Sequence, residues 1–221
     1  MRTAPLLSTS ALGSLVMMTG TALGQVPANV PSSSRGPSPA TETAATPPPS
    51  QDKYVQYGVG LAAEGVLSAG PVCNGSQNCI LGSGGGLVVR VGWRPAQLFY
   101  LGGAYEMSKQ DPNQLYRLGI LQQARFEARR FFPTGRDLSP FVLLGAGVMG
   151  YGDTWGVDTW GGTATFGGGL EVELGGPVLE LSLGYRPMYF QAWVDSSNTS
   201  HDAGIAHFLG LEVSIEAKDR I

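Results

Sequence analysis

The sequence predicts an all-β fold, an eight-stranded antiparallel up-and-down transmembrane β-barrel. First, seven of eight strand-like runs after residue 53 alternate between apolar and polar positions with period two, which is typical of strands and not of helices. Second, glycine supplies 33 of the 221 residues and charged residues only 14%, a composition that suits alternating membrane strands. Third, the prolines after residue 52 fall mostly between the runs, as expected because proline lacks a ladder N–H.

Two segments precede the predicted barrel. A basic start, an interrupted apolar run over residues 6–18 and the small residues Ala22 and Gly24 predict a signal peptide at residues 1–24. Residues 25–52 hold seven prolines among Ser, Thr and Ala, which predicts an extended, disordered linker that cannot bury a core. Residues 53–221 form the predicted barrel domain.

The alternating runs also predict which face is outside. In the run at 57–64, Tyr57, Val59 and Leu61 share one face, and the opposite face is mostly glycine and alanine. Because a narrow barrel has room inside only for small or well-packed side chains, we expect the bulky face to meet lipid. The run at 141–151 is apolar on both faces, so the pattern does not orient it. Aromatic residues near the strand ends are expected to form interfacial girdles, and they are Trp93, Phe99, Phe131, Phe132, Tyr105, Tyr151, Trp160 and Trp193.

Charged residues on the predicted inner faces have both signs. Buried charges require partners, so we expect a paired network that closes the lumen. Its predicted members are Arg90, Glu106, Arg125, Glu127, Glu171, Glu180, Arg186 and Glu212. Counted from the strand ends, Glu106 and Arg186 share a higher level than the other six, and the paired layer is expected to centre on Arg90, Arg125, Glu171 and Glu212. A narrow channel is the alternative interpretation.

Cys73 and Cys79 are the two cysteines of the chain. Their close spacing downstream of a secretion signal predicts a disulfide bond in the first long loop. We expect this bond to staple the loop and to matter little for the barrel itself. With two histidines in the chain, no metal site is expected.

Residues 53–217 resemble the small outer-membrane β-barrel superfamily that includes the OmpA and OmpX types. Residues 140–148, Pro-Phe-Val-Leu-Leu-Gly-Ala-Gly-Val, are similar to its common mid-barrel strand. The last strand, with Gly210, Val213 and Ile215, is similar to the insertion signal recognised by the barrel-assembly machinery, although the chain ends at Ile221 and not at an aromatic residue.

This resemblance implies a monomer in the outer membrane of a Gram-negative cell, in contact with membrane lipid and inserted by the barrel-assembly machinery. It implies periplasmic termini, extracellular long loops and a structural or surface-interaction role, but it does not identify an extracellular partner. A net charge of −3 without a basic patch argues against a nucleic-acid partner.

Two motifs indicate enzymatic alternatives. Residues 145–150 match the dinucleotide fingerprint, but that motif needs a following helix and a loop follows here, so no cofactor is expected. Some small barrels are lipid-modifying enzymes such as lipid A deacylases, with a Ser–His pair, and this chain has Ser200, His201 and Asp202 in its last long loop and His207 on its last strand. Adjacent loop residues do not ensure a serine held by an oriented histidine, so we expect no enzyme.

Overall fold

The computed structural model describes residues 53–73, 79–96, 98–110, 119–134, 137–153, 156–194 and 198–221, so the predicted signal peptide and linker lie outside the described residues. Eight long strands close into one barrel. The strands are β1 (Tyr54–Ser68), β2 (Gly84–Ala96), β3 (Phe99–Gln110), β4 (Gly119–Phe131), β5 (Leu138–Asp153), β6 (Thr159–Glu173), β7 (Val178–Phe190) and β8 (Gly204–Arg220).

Each strand pairs antiparallel with its neighbours along the chain, and β8 pairs with β1 to close the barrel. The closing ladder runs from Tyr54 opposite Arg220 to Ala63 opposite Leu211 without a shift, and a bulge interrupts it only between Val66 and Ser68. Closure leaves no unpaired strand edge, which is what a membrane-spanning sheet requires. The predicted eight-stranded antiparallel barrel is confirmed.

The barrel is apolar outside and polar inside. On the outer face of β1, Val59 and Leu61 are 61% and 66% exposed. On inner faces, Arg125 and Glu127 are 3% and 0% exposed. This distribution is the reverse of a water-soluble barrel and fits a lipid-facing outer wall.

Strand β5, which the sequence pattern leaves unoriented, points its odd-numbered residues inward. Leu143, Met149 and Tyr151 are buried, and Val142 and Val148 are exposed on the outer face. The strand is apolar on both faces because its inner side chains belong to apolar clusters at the two ends of the lumen.

The two ends of the barrel differ in the length of their connections. One end, here the loop side, carries the long connections 69–83 and 191–203, and the other, the turn side, carries short turns such as 174–177. The loop side also holds a 3₁₀ turn, Gly70–Val72, and a two-residue ladder between Trp193–Val194 and Ser200–His201. Both ends of the barrel chain meet at the turn side, where the Ile221 N–H donates to the Lys53 carbonyl at 3.0 Å. No helix in the described part of the chain has the length and apolar character needed to cross a membrane.

Three of the eight residues expected in the aromatic girdles face inward instead. Phe131 and Tyr151 are buried on the inner faces of their strands, and Trp193 is buried in the last long loop. The expectation was wrong there because position near a strand end does not decide which face a side chain occupies. The other five, Trp93, Phe99, Phe132, Tyr105 and Trp160, are exposed on the outside.

Candidate functional site

The lumen of the barrel is filled by a set of buried charged side chains that we call the charge layer. Among the described residues it contains seven glutamates and five arginines. Its members are Glu64, Arg90, Arg94, Glu106, Arg125, Glu127, Arg129, Glu171, Glu180, Arg186, Glu212 and Glu216. All eight charged residues expected in the lumen from the sequence are among them.

Arg125 lies at the centre of the charge layer. One guanidinium nitrogen donates to Glu106 Oε2 at 2.7 Å, and the other donates to Glu127 Oε1 at 3.2 Å and to Glu212 Oε1 at 3.1 Å. Arg90 also contacts Glu127, at 3.2 Å, and forms an ion pair with Glu212. Each of these carboxylates is therefore shared by at least two arginines, so no pair in the centre acts alone.

Toward the loop side, the layer continues through Arg186 and Glu64. The Arg186 guanidinium donates to Glu106 Oε2 at 2.9 Å. These two residues, which the sequence places at one depth nearer the loops than the other six, are therefore in contact. Arg186 also donates to Glu64 Oε1 at 3.0 Å. Glu64 further accepts hydrogen bonds from Ser108 at 2.6 Å and from Gln123 at 2.9 Å. Charge-assisted hydrogen bonds of this kind compensate for the desolvation of a buried carboxylate.

Toward the turn side, the layer ends in two linked groups. Arg129 donates to Glu127 Oε2 at 2.9 Å and pairs with Glu180. Arg94 donates to Glu171 Oε2 at 2.8 Å, and the half-buried Lys218 donates to Glu171 Oε1 at 2.9 Å.

Glu171 therefore lies at the turn-side end of the charge layer and not at its centre with Arg90 and Arg125, and the expected centre was wrong in this respect. Glu171 lies directly opposite Glu180 in the β6–β7 ladder, near the turn side. Counting residues from strand ends misplaces it because the strands of a barrel are tilted and staggered relative to one another.

Glycines on the inner face make room for the large side chains. The Tyr100 ring covers Gly92 and Gly102, where an added Cβ would lie 2.5 Å and 2.3 Å from atoms of the ring or its hydroxyl. At Gly210 an added Cβ would lie 2.9 Å from the Arg186 guanidinium carbon. The high glycine content thus follows from packing bulky residues into a narrow lumen.

A small apolar group, the turn-side cluster, lies beside the turn-side end of the charge layer, with two of its residues directly opposite Arg129 in the neighbouring strands. It consists of Tyr100, Phe131, Phe141 and Leu143. The Arg94 guanidinium stacks over the Phe131 ring at 3.9 Å, and that of Arg129 over the Tyr100 ring at 4.7 Å. Cation–π contact is favourable when both groups are desolvated, so this cluster joins the charge layer directly.

A larger apolar group, the loop-side cap, closes the other end. Its strand residues meet side chains that the long loops fold over the mouth of the barrel. The cap consists of Val72, Ile80, Leu81, Leu121, Met149, Tyr151, Met188, Phe190, Trp193, Ala206 and Phe208. The Tyr151 hydroxyl fixes the first loop by donating to the Ile80 carbonyl at 2.8 Å.

The predicted disulfide bond between Cys73 and Cys79 is confirmed. Both cysteines pack against the loop-side cap, and Val72 and Ile80, which flank them, are cap members. The bond therefore holds a loop that packs against the loop-side cap. That it matters little for the barrel itself stays a prediction.

The two histidines do not form a pair with a serine in the described residues. His201 stacks on Trp193 with ring centroids 4.6 Å apart, and its Nδ1 lies 3.3 Å from the Val72 carbonyl oxygen. His207 lies on the outer face of β8, where its Nδ1 is hydrogen-bonded to the Tyr185 hydroxyl at 2.6 Å. Within the described ranges, no group of three or more His, Cys, Asp or Glu side chains is arranged to hold a metal ion.

Sequence reasoning missed four charged residues of the lumen. Arg94 lies where the sequence pattern predicts a turn, Arg129 is the last residue of the alternating run at 116–129, and Glu216 and Lys218 lie on the continuation of β8. All four lie at inward-facing positions of their strands, so following the alternation to the strand ends would have found them. Glu64 was among the inner-face charges that the alternation indicates, and it is buried in the layer.

A closed eight-stranded barrel with an apolar outer face and a charged, filled lumen defines a small transmembrane β-barrel. Among solved structures, the chain is similar to Neisserial surface protein A (NspA), at 18% identity and a TM-score of 0.50, over 76% of this chain and 97% of that one. It is also similar to Ail, the attachment invasion locus protein of Yersinia pestis, at 13% identity and a TM-score of 0.43, over 75% and 98% of the respective chains.

No family model and no curated protein matches the chain. The likeness to NspA shows a shared fold.

Proposed function

We propose that this protein is a non-enzymatic outer-membrane barrel with a closed lumen and a structural or surface-interaction role. The observation that carries the proposal is the filling of the lumen: the charge layer, the turn-side cluster beside it and the loop-side cap are buried inside a wall whose outer face is apolar. A lumen packed in this way supports a scaffold for loops and argues against a transport path.

The proposed orientation has the loop side extracellular and the turn side periplasmic. Short periplasmic turns and longer extracellular loops are the usual arrangement of such barrels. Both ends of the barrel chain meet at the turn side, so both ends of the barrel would be periplasmic in this orientation. The proposal includes a monomer in contact with membrane lipid, inserted by the barrel-assembly machinery.

Support for a non-enzymatic role comes from the histidines. A hydrolase needs a serine within hydrogen-bond reach of an oriented base, but His207 Nδ1 is engaged by the Tyr185 phenol. His201 is buried and stacked on Trp193. Neither of these contacts brings a serine hydroxyl to a histidine nitrogen.

Membrane residence is tested by fractionating cells that express the full chain. We expect the protein in the outer-membrane fraction, and we expect unboiled protein to migrate faster than boiled protein in a denaturing gel. Recovery of a soluble periplasmic monomer would contradict the proposal.

Closure is tested by planar-bilayer recording of the folded protein beside a known porin. We expect no steady conductance above that of the bare bilayer, because charges and cap residues fill the lumen. A reproducible open channel would favour the channel interpretation instead.

A further inference from the structure

The outer wall of the barrel carries an open groove on its loop-side half, across β1, β8 and β7. The groove encloses about 310 Å³, which is at the lower end of the range for small-molecule sites. Its outward-facing lining residues are Ala63, Gly65, Leu67, Leu183, Leu209 and Leu211.

The groove exists because two small residues lie between ridges of leucine. Gly65 pairs with Leu209 and Ala63 with Leu211 across the β1–β8 ladder, and Leu183 continues the row on β7. A Cβ added at Gly65 would meet a single atom within 4 Å, the Leu209 carbonyl oxygen at 3.9 Å. The floor of the groove is therefore open.

A polar pair borders the groove on its loop side. The Tyr185 hydroxyl and His207 Nδ1 are 2.6 Å apart, and their rings are stacked with centroids 5.8 Å apart. Tyr185 lies opposite Leu209, and His207 lies in the next row toward the loops, opposite Ser68. In the tautomer in which the phenol donates to Nδ1, the neutral imidazole carries its proton on Nε2 and can donate it to an acceptor.

We propose that this groove binds one acyl chain of a zwitterionic glycerophospholipid, with the imidazole Nε2–H of His207 donating to an ester carbonyl of the same lipid. The inference rests on the proposed function, since only a membrane-embedded barrel meets acyl chains. The groove is continuous with the apolar outer face, and its volume suits one chain and not a whole lipid.

The charge around the groove decides the class of lipid. Neither of the neighbouring long loops, 69–83 and 191–203, contains a lysine or an arginine, and the second contains Asp195 and Asp202. A headgroup with several phosphates, such as that of lipid A, calls for guanidinium or ammonium groups at its binding site. A zwitterionic headgroup has no such requirement.

The test measures which lipid stays bound. The full-length protein is folded into bilayers containing equal amounts of a zwitterionic glycerophospholipid and lipid A, extracted in mild detergent, and analysed by native mass spectrometry. We expect wild-type protein to retain one glycerophospholipid. Gly65→Leu fills the groove and should lose it, and His207→Phe, which keeps the ring but lacks the donor, should retain less.

Gly103→Leu is the matched control. Gly103 also faces outward, on β3 away from the groove, and an added Cβ there meets only the Arg125 carbonyl oxygen at 3.7 Å. This variant should retain the lipid as wild-type protein does. If Gly65→Leu does not fold, Ala63→Leu fills the same groove from the next row.

The inference is overturned if wild-type protein folds but retains no lipid, or if it retains lipid A in preference to the glycerophospholipid. It is also overturned if the protein hydrolyses the bound lipid, or if Gly65→Leu retains as much glycerophospholipid as wild-type protein. Failure of wild-type protein to enter bilayers, seen as the absence of the fast unboiled gel band, would overturn the proposed function as well. The gel therefore separates the two failures.

Discussion

At the scale of single residues, Arg125 shows how a charge is kept inside the barrel. Its side chain is fully enclosed and meets the carboxylates of Glu106, Glu127 and Glu212. A buried ion is expensive unless it is paired and hydrogen-bonded, and removing one partner leaves the others uncompensated. The carboxylates already outnumber the guanidiniums in the described lumen, so the loss of an arginine worsens the balance.

We therefore predict that Arg125→Ala destabilises the folded barrel by about 3–5 kcal/mol. Lys53→Ala is the control, because the Lys53 side chain is exposed just before β1, and it should change stability by roughly 0.5 kcal/mol or less. Reversible urea unfolding in lipid vesicles measures both. Equal effects of the two substitutions would show that the charge layer does not contribute to the free energy of unfolding as described.

Phe131 and Phe132 provide a second comparison at this scale, because they are neighbours with opposite burial. Phe131 is 1% exposed beneath the Arg94 guanidinium, whereas Phe132 is 46% exposed. Phe131→Ala should cost about 3–5 kcal/mol, the range for truncating a buried aromatic residue. Phe132→Ala should cost much less in the same urea titration, and the reverse order would contradict the inward placement of Phe131.

At the scale of elements, the first long loop is part of the closure. The Cys73–Cys79 bond holds the chain between two cap residues, Val72 and Ile80, that pack over the lumen. Closing so short a loop contributes about 2 kcal/mol by the chain-entropy estimate. This free energy acts on the loop and its contacts with the cap, since the strand ladders do not depend on it.

We predict that the double variant Cys73→Ser, Cys79→Ser keeps the fast-migrating folded band but exposes residues 69–83 to proteolysis. Limited digestion followed by mass mapping gives the readout, with the connection 191–203 as the internal reference. A loop that resists digestion as well as the wild-type loop would show that the cap does not need the bond.

The sequence predicted most of the strands and which of their side chains face lipid or the lumen, because both follow from the alternation of apolar and polar residues with period two. The strand ends were not: Arg94 continues β2 inside the lumen, where a turn was expected. Pro187, expected to mark a bulge or the end of regular pairing, lies within β7 opposite His207 without a register shift. Its missing N–H affects only the other side, where the β6 ladder has no pairs between Thr163–Met188 and Phe166–Tyr185.

The orientation of β5 and the partners in the charge layer depended on tertiary structure. Met149 and Leu144 are equally apolar, and only the loop-side cap and the outer wall distinguish them. Glu171 pairs with Arg94 because of strand stagger, which no single strand's pattern contains. The sequence pattern therefore indicated a lumen filled by charged side chains, but it did not indicate which of those side chains pair with each other.

At the scale of the whole molecule, three groups of side chains fill the barrel inside one wall: the loop-side cap, the charge layer, and the turn-side cluster beside the turn-side end of that layer. The wall presents Val, Leu and aromatic side chains outward, so its stability depends on a lipid surround, whereas the lumen is stabilised by ion pairs and packing. Under the proposed function, this filling closes the lumen to solutes and leaves the wall and the loops in contact with the membrane and its surroundings.

The most direct test of this account is the accessibility of single spin labels to oxygen dissolved in the bilayer. Labels on cysteines at Leu181, Phe166 and Val213, on the outer face, are compared with labels at Ser182 and Thr165, on the inner face. We predict strong oxygen relaxation at the three outer positions and weak relaxation at the two inner ones. The opposite alternation, or equal relaxation at all five positions, would contradict an inside-out barrel spanning a membrane.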